Sequence, residues 1–284
     1  MFGVHTALVT PFQADGGLDV DAFVRLTERQ IRSGIAGLVP CGTTGESPVL
    51  DDDEWATLVR AAVDLADGKL PVTAGVGSND TRATVKKCES ALRLGANAGL
   101  LVFPYYNKPN PQGMLLHVKA ALATGLPLVL YHVPGRTGQR LPAQQLADLA
   151  NLPGVVAVKE ATGDLRYGGD LLVRTRTPVL SGDDFTFLGL LGLGGTGVIS
   201  VVSNVDPAGT VRVYERFVAG DMPGARDALL ALWPLITWLF DDTNPVPCKA
   251  ALAELGLCRP EPRLPLAVGS SPSPRAMLEK LGLR

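Results

Sequence analysis

The sequence predicts an α/β protein: a (β/α)8 TIM barrel over residues 1–205, followed by a C-terminal helical domain over residues 206–284. Short β-branched runs alternate with longer segments of helical period, which is typical of βαβ units and a parallel sheet. This alternation repeats eight times in about 200 residues, as a closed barrel requires. The 32 glycines and 22 prolines supply the turns between so many elements.

Eight segments have the composition of buried strands. Several are apolar on both faces, which indicates helices on one side and a packed interior on the other. A doubly wound sheet is the alternative architecture, but no Gly-x-Gly-x-x-Gly turn follows an early strand. The predicted strands are Gly3–Val9, Ala36–Pro40, Pro71–Gly75, Gly99–Phe103, Leu126–Tyr131, Val155–Lys159, Pro178–Ser181 and Gly197–Val201.

Helices follow most of these strands. Acidic residues at the start of several segments favour helix N-termini. We expect Asp183 and Asp184 to cap the apolar helix that follows them rather than to bind Mg²⁺. The predicted helices are Asp19–Ser33, Asp51–Ala66, Arg82–Leu94, Gln112–Ala123, Pro142–Ala150, Asp164–Arg174 and Asp184–Leu193, then Pro207–Ala219, Pro223–Phe240, Pro247–Leu255 and Pro274–Leu281 in the extension.

Charge and hydropathy exclude several classes of partner. The formal net charge is −2 and no basic run stands out, so we expect no nucleic acid partner. The longest apolar run, Ala228–Phe240, contains a proline and is shorter than the roughly 20 residues that span a bilayer, so we expect no membrane partner. Four scattered cysteines and no secretory signal predict a reduced, cytoplasmic protein.

Lys159 is the strongest candidate for chemistry. It ends the apolar strand VVAVK, where residues 155, 157 and 159 share one face and Glu160 falls on the other. A lysine that points into a barrel loses hydration, which favours the neutral amine, and a neutral amine can form a Schiff base with a ketone. The alternative, a lysine at the strand edge paired with an acid, is about equally compatible with the pattern.

Other candidates lie at the ends of other strands, where barrels carry their active sites. The Gly42–Gly45 turn, with Thr43 and Thr44 at its centre, presents successive backbone N–H groups to an anion, or is an ordinary βα turn. Tyr131 could carry a proton, or bury its ring and expose its hydroxyl. Arg136 could clamp a carboxylate, or be a solvated loop charge. The three isolated histidines predict no metal site.

An ordered set of motifs carries a family resemblance that runs from Met1 almost to Arg284. The set resembles the pyruvate-dependent class I aldolase superfamily typified by N-acetylneuraminate lyase, and within it the dihydrodipicolinate synthase family. In chain order the motifs are GTTGES, PYYNKP, YHVPGRTG, VKEATGDL, LSGDD, GGTGVIS and NPVPCKAAL.

The resemblance implies a lyase of lysine and diaminopimelate biosynthesis. Such an enzyme condenses pyruvate with L-aspartate 4-semialdehyde to 4-hydroxy-tetrahydrodipicolinate, through a Schiff base on a lysine that matches Lys159. It uses no metal and no cofactor. The resemblance also implies a homo-oligomer, either a dimer or a tetramer built from dimers.

The resemblance assigns roles to the other candidates. Thr43, Tyr131 and Tyr106 are expected to form a proton relay, with Tyr106 reaching into the neighbouring subunit's site. The N–H groups of Thr43 and Thr44 are expected to hold the pyruvate carboxylate. Arg136 is expected to bind the carboxylate of the semialdehyde. The carbonyl of Ile199 is expected to lie near the site.

Two alternatives remain open. The Arg136-Thr137-Gly138 sequence favours the synthase, whereas His132 and Pro48 depart from its usual pattern. They leave room for an aldolase or dehydratase of the same superfamily acting on a sugar acid or a keto acid. The second alternative is a barrel that serves only as a binding or scaffold protein, in which Lys159 would have no catalytic role.

The resemblance also predicts weak inhibition by lysine, the end product of the pathway. Asn79 and Tyr105 match the lysine pocket of feedback-sensitive relatives. The acidic residue of that pocket is replaced by Ala83, and its two histidines by Asp52 and Trp55. An ammonium that enters a partly buried site without a counter-charge loses hydration that nothing replaces.

Overall fold

A computed structural model describes residues 1–269 and 271–284 and contains the predicted barrel. From β3 to β8 each strand pairs in parallel with the next, and β1 pairs with both β2 and β8. β2 meets β3 at a bridge between Leu38 and Val72, which brings the ends of the sheet together. The strands are β1 Gly3–Ala7, β2 Gly37–Val39, β3 Thr73–Gly75, β4 Ala98–Val102, β5 Leu128–His132, β6 Val155–Glu160, β7 Val179–Ser181 and β8 Gly197–Ser200.

The helices form an outer layer and then the C-terminal extension. The helices are α1 Val20–Arg32, α2 Asp52–Ala66, α3 Thr81–Arg93, α4 Pro111–Leu122, α5 Pro134–Thr137, α6 Ala143–Ala150, α7 Leu165–Leu172, α8 Phe187–Gly192, α9 Pro207–Val218, α10 Met222–Leu239, α11 Val246–Glu254 and α12 Arg275–Lys280. Within the described residues, no helix combines the length and the apolar character needed to cross a bilayer.

Aspartate side chains begin most of the longer helices, as the sequence predicts. Asp19 caps α1, and Asp51 forms a capping box with Glu54 at the start of α2. Asp206 and Asp221 cap the two helices that open the extension. Each side chain accepts a bond from a first-turn N–H group that would otherwise lack a partner.

The barrel interior is filled mainly by small and aliphatic side chains. His5 fills its N-terminal end, where a side chain at Gly37 would collide with the imidazole. Nearer the other end, Leu180 and Ile199 pack with the ring of Tyr131. The polar groups of the candidate site therefore lie next to a packed, largely apolar interior.

The prediction that Asp183 and Asp184 cap α8 is wrong. The Asp184 carboxylate is buried and accepts bonds from Ser200 Oγ at 2.6 Å and from the Val201 N–H at 2.9 Å. It therefore links the loop after β7 to the end of β8. α8 begins only at Phe187, and its N-terminus has no side-chain cap. The barrel brings Asp184 to the neighbouring strand, a contact that local sequence does not encode.

His132 lies on the outer face of β5 in an apolar cluster. Its ring packs against the rings of Phe103 and Tyr167, and neither ring nitrogen has a hydrogen-bond partner among the described residues. Burial lowers the pKa of His132 from its ordinary 6.5 to about 4. Between these values the unfolded chain binds a proton that the folded protein does not, so His132 lowers stability as the pH falls.

We therefore predict a pH-dependent stability difference between the wild-type protein and His132→Leu. The free energy of unfolding of the wild type should fall by ~1.4 kcal/mol relative to the variant between pH 7.5 and pH 5.5. Urea unfolding at fixed protein concentration measures the difference. Phe103→Leu, in the same cluster, is the control. Its free energy of unfolding should differ from that of the wild type by the same amount at both pH values, because the His132 effect is present in both proteins. A constant difference for His132→Leu would mean that this histidine titrates alike in both states.

Candidate active site

Lys159 lies at the end of β6 with its side chain inside the barrel mouth. The residue is only 4% exposed, and its Nζ atom lies 4.2 Å from the centroid of the Tyr131 ring. The two residues are direct neighbours in the β5–β6 ladder. Among the described residues, no carboxylate forms an ion pair with this amine. Lys159 is therefore a buried amine beside an aromatic face, not half of a salt bridge.

Two neighbours keep the Lys159 amine free. Glu160 points to the outer face of β6, where its Oε1 atom accepts a bond from the Thr162 N–H at 2.7 Å, and burial raises its pKa. On the other side, a side chain at Gly182 would lie 2.9 Å from the Cγ and Cε atoms of Lys159. Strand alternation thus removes the nearest acid, and glycine leaves room for the lysine stem.

The turn after β2 presents unused backbone donors. No described residue accepts a hydrogen bond from the N–H groups of Thr43 or Thr44. The turn itself is fixed, because Thr10 Oγ1 donates to Gly45 O at 2.7 Å and the Glu46 N–H donates to Thr43 O at 3.0 Å. Fixed, unoccupied N–H groups at a strand-to-helix turn suit a carboxylate or another small anion.

A cavity of about 350 Å³ opens between this turn and the loops after β3, β4 and β5. Thr43, Tyr131 and Arg136 line it. Cys41 also lines it, but burial raises the pKa of its thiol to about 12, so it stays protonated at neutral pH. The Cys41 thiol is therefore a poor nucleophile.

Arg136 lies in the one-turn helix α5, at a position the sequence predicts to be a loop. The guanidinium is exposed and has no carboxylate partner among the described residues. One of its N–H groups donates to the carbonyl of Asn244 at 3.1 Å. The side chain of Asn244 in turn donates to Thr44 Oγ1 at 2.9 Å. A single residue of the extension therefore touches both predicted carboxylate-binding elements.

The structure assembles most of the predicted site residues and leaves one apart. Thr43, Tyr131 and Arg136 line the cavity, Lys159 Nζ lies over the Tyr131 ring, and Thr44 follows Thr43 in the turn. The side chain of Ile199 lies in the same buried cluster as Tyr131. Tyr106 is 87% exposed and does not line the cavity. Within one chain it does not reach the other members of the predicted relay.

Sequence reasoning missed Asn244, Gly182 and Lys249 as site residues. The Asn-Pro-x-Pro-x-Lys stretch was a visible signal for two of them, because it places a polar residue just before an apolar helix and a charged residue within it. Gly182 gave no signal, since its role depends on the neighbouring strand. These residues shape the site from elements distant in the chain.

The arrangement has the parts needed for carbonyl chemistry. A buried amine can attack a ketone, a tyrosine hydroxyl beside it can move a proton, and amide donors can orient a carboxylate. Arg136, in the wall of the same cavity, is a second group that can bind an anion. A substrate with a keto group next to a carboxylate fits the first half of this site.

Comparisons with known proteins agree with the geometry. The sequence model of the dihydrodipicolinate synthetase family matches residues 1–280. A 4-hydroxy-tetrahydrodipicolinate synthase from Pelobacter propionicus is 44% identical over 268 residues, which cover 93% of this chain and 92% of the relative.

Solved structures extend the likeness to three dimensions. The crystal structure of dihydrodipicolinate synthase from Thermotoga maritima is 40% identical, with a TM-score of 0.97 over 100% of this chain and 99% of that one. A structure described as the first monomeric dihydrodipicolinate synthase variant is also 40% identical, with a TM-score of 0.97 over 100% of this chain and 98% of that one.

These findings confirm the resemblance read from the motifs and the prediction that the chain is an enzyme. Because the family's sequence model covers nearly the whole chain and such similar relatives span it from end to end, the chain belongs to the dihydrodipicolinate synthetase family.

Proposed function

We propose that this enzyme condenses pyruvate with L-aspartate 4-semialdehyde, and that Lys159 forms the covalent intermediate. The observation that carries the proposal is the buried Lys159 amine, unpaired among the described residues and in contact with the Tyr131 ring. The 4-hydroxy-tetrahydrodipicolinate synthases that resemble the chain over most of its length support this choice of substrates.

The chemistry follows from the amine. Lys159 Nζ attacks the keto carbon of pyruvate, and loss of water leaves an iminium that withdraws electrons from the methyl group. The methyl group then loses a proton, and the resulting enamine carbon bonds to the aldehyde carbon of the semialdehyde. The amino group of the semialdehyde closes the ring at the former keto carbon, and Lys159 leaves as the free amine.

The surrounding groups orient these steps. The N–H groups of Thr43 and Thr44 hold the pyruvate carboxylate, which aims the keto carbon at Lys159. Tyr131 and Thr43 carry protons within one chain, and Tyr106 completes the relay from a neighbouring chain. Arg136 holds the carboxylate of the semialdehyde. Ile199 contributes its carbonyl near the bound substrates.

A coupled assay tests the choice of substrates. With pyruvate present, the enzyme should turn over aspartate semialdehyde at least about a hundredfold faster than it cleaves sialic acid or keto-deoxy sugar acids, since Arg136 suits the former's carboxylate. The assay compares kcat/KM for each substrate. Faster turnover of a sugar acid would favour the alternative aldolase or dehydratase.

Arg136→Ala should act mainly on the second substrate. A bidentate charged hydrogen bond contributes about 1.5–3 kcal/mol, so the KM for the semialdehyde should rise at least about tenfold. The KM for pyruvate should change less than about twofold. Arg140→Ala is the matched control, because Arg140 is exposed in the same loop and pairs with Asp164. Equal rises in both KM values would argue against this role.

We propose a homo-oligomer in which Tyr106 is supplied by the neighbouring subunit, because a side chain 87% exposed cannot serve its own cavity. Tyr106→Phe should lower kcat by roughly a hundredfold, the usual contribution of a positioned proton donor. Tyr214→Phe, on α9, is the control.

Complementation distinguishes supply in trans from a role within one chain. Co-expression of Tyr106→Phe with Lys159→Ala creates mixed dimers in which one site has both an intact Lys159 and an intact Tyr106. Activity should recover to roughly a quarter of the wild-type level. Absence of recovery in demonstrated mixed dimers would contradict supply in trans, as would a fully active monomer.

We propose that lysine inhibits the enzyme weakly, and three features of the expected pocket support this. The Asp52 carboxylate already pairs with Lys86 at 2.6 Å, and the buried Trp55 donates its indole N–H to Gly75 O. Lys87 lines the same cavity as Tyr105 and brings a positive charge towards an entering ammonium. Lysine would therefore lose hydration and meet a like charge.

We predict half-inhibition by lysine only above about 1 mM, a binding free energy weaker than about −4 kcal/mol. A lysine titration of the coupled assay measures it. Ala83→Glu supplies the missing carboxylate and should increase sensitivity several-fold. Half-inhibition of the wild-type enzyme below 1 mM would show that the pocket works without that acid.

We also propose a cytoplasmic location. All four cysteines are free, and three of them are buried. Unpaired thiols are ordinary in a reducing compartment and uncommon outside it.

A further inference from the structure

A buried ion pair lies behind the turn after β2 and takes no part in the steps above. Lys249 Nζ lies 2.8 Å from Glu46 Oε1, and the two side chains are 0% and 1% exposed. Burial lowers the pKa of Lys249, and the Glu46 carboxylate opposes that shift. Removing both charges from water costs free energy that their attraction often fails to offset, so such a pair is a poor source of stability.

The Glu46 carboxylate is held from two directions by the C-terminal extension. Its Oε1 atom accepts a bond from Lys249, and its Oε2 atom accepts one from the Arg263 N–H at 2.9 Å. Lys249 Nζ also lies 4.3 Å from the centroid of the Phe12 ring, which confines the ammonium on a further side. The carboxylate position is therefore set by residues 203 and 217 positions along the chain.

The backbone of Glu46 has an unusual conformation. Its φ is +53°, a left-handed conformation that glycine adopts readily and other residues disfavour. Its N–H group closes the turn by donating to Thr43 O at 3.0 Å. A glutamate at this position, with both side-chain oxygens engaged, holds the turn from outside the cavity.

We infer that Glu46 and Lys249 are positioning residues: their ion pair holds the Thr43-Thr44 turn in the shape that receives pyruvate, without touching pyruvate. The identity of that ligand rests on the proposed function, whereas the effect on the turn does not. Hydrogen bonds weaken steeply when donor and acceptor are misaligned, so a relaxed turn should bind the carboxylate less well.

The test variant combines Glu46→Gln with Lys249→Met, because removing one partner alone leaves a buried unpaired charge. The matched control combines Glu254→Gln with Arg275→Met. This removes an ion pair within the C-terminal extension whose side chains do not bond to the turn. A second variant, Glu46→Asp, keeps both charges and shortens the side chain by one methylene.

Two measurements report separately on the stability of the turn and on pyruvate binding. Amide hydrogen exchange of the peptide over residues 41–50 in the ligand-free protein should be at least about tenfold faster in the double variant than in the wild type or the control. The pyruvate concentration that gives half-maximal inactivation by borohydride should rise at least about tenfold. The KM for the semialdehyde should change less than about twofold.

Each outcome is decisive. Unchanged exchange in the folded double variant overturns the inference, and so does faster exchange with an unchanged pyruvate requirement. If the double variant does not fold, Glu46→Asp gives the same two readings with the charges retained. A wild-type protein that pyruvate and borohydride do not inactivate contradicts the proposed function instead, and the exchange measurement still decides whether the pair holds the turn.

Discussion

The site depends on the Lys159 amine, which is held inside the barrel mouth. No carboxylate of the described residues forms an ion pair with it. A carboxylate in contact with Lys159 would stabilise the ammonium form and prevent attack on a carbonyl. The nearest acid in the chain is Glu160, and strand alternation places it on the outer face with Thr162. The Tyr131 ring lies beside the amine, with its centroid 4.2 Å from Nζ.

We propose two anion-binding elements for this site. The turn after β2 offers uncharged backbone donors, and Arg136 offers a charge in the wall of the same cavity. Asn244 contacts both elements, so the C-terminal extension ties them into one frame. The helices beyond β8 thus shape the site as well as cover the barrel.

Local sequence patterns predicted what local physics determines. The eight strands, the aspartate caps and the inward orientation of Lys159 all follow from periodicity over a few residues. What the patterns missed depends on contacts between distant segments. The Asp184 carboxylate accepts a bond from the end of β8, and Gly182 leaves space for the side chain of Lys159 on the neighbouring strand. Glu46 pairs with Lys249, which lies 203 positions further along the chain. Tyr106 is exposed on the single chain, and its proposed role needs a second copy that local patterns do not describe.

The central claim is that Lys159 is the nucleophile, and covalent trapping tests it most directly. Borohydride added with labelled pyruvate should attach one pyruvate-derived group per chain, on the peptide that contains Lys159. Lys249, the other buried lysine, is the internal comparison and should stay unmodified. Lys159→Ala should remain folded and take up no label. Full labelling of that variant, or a label on any other lysine of the wild type, would contradict the account.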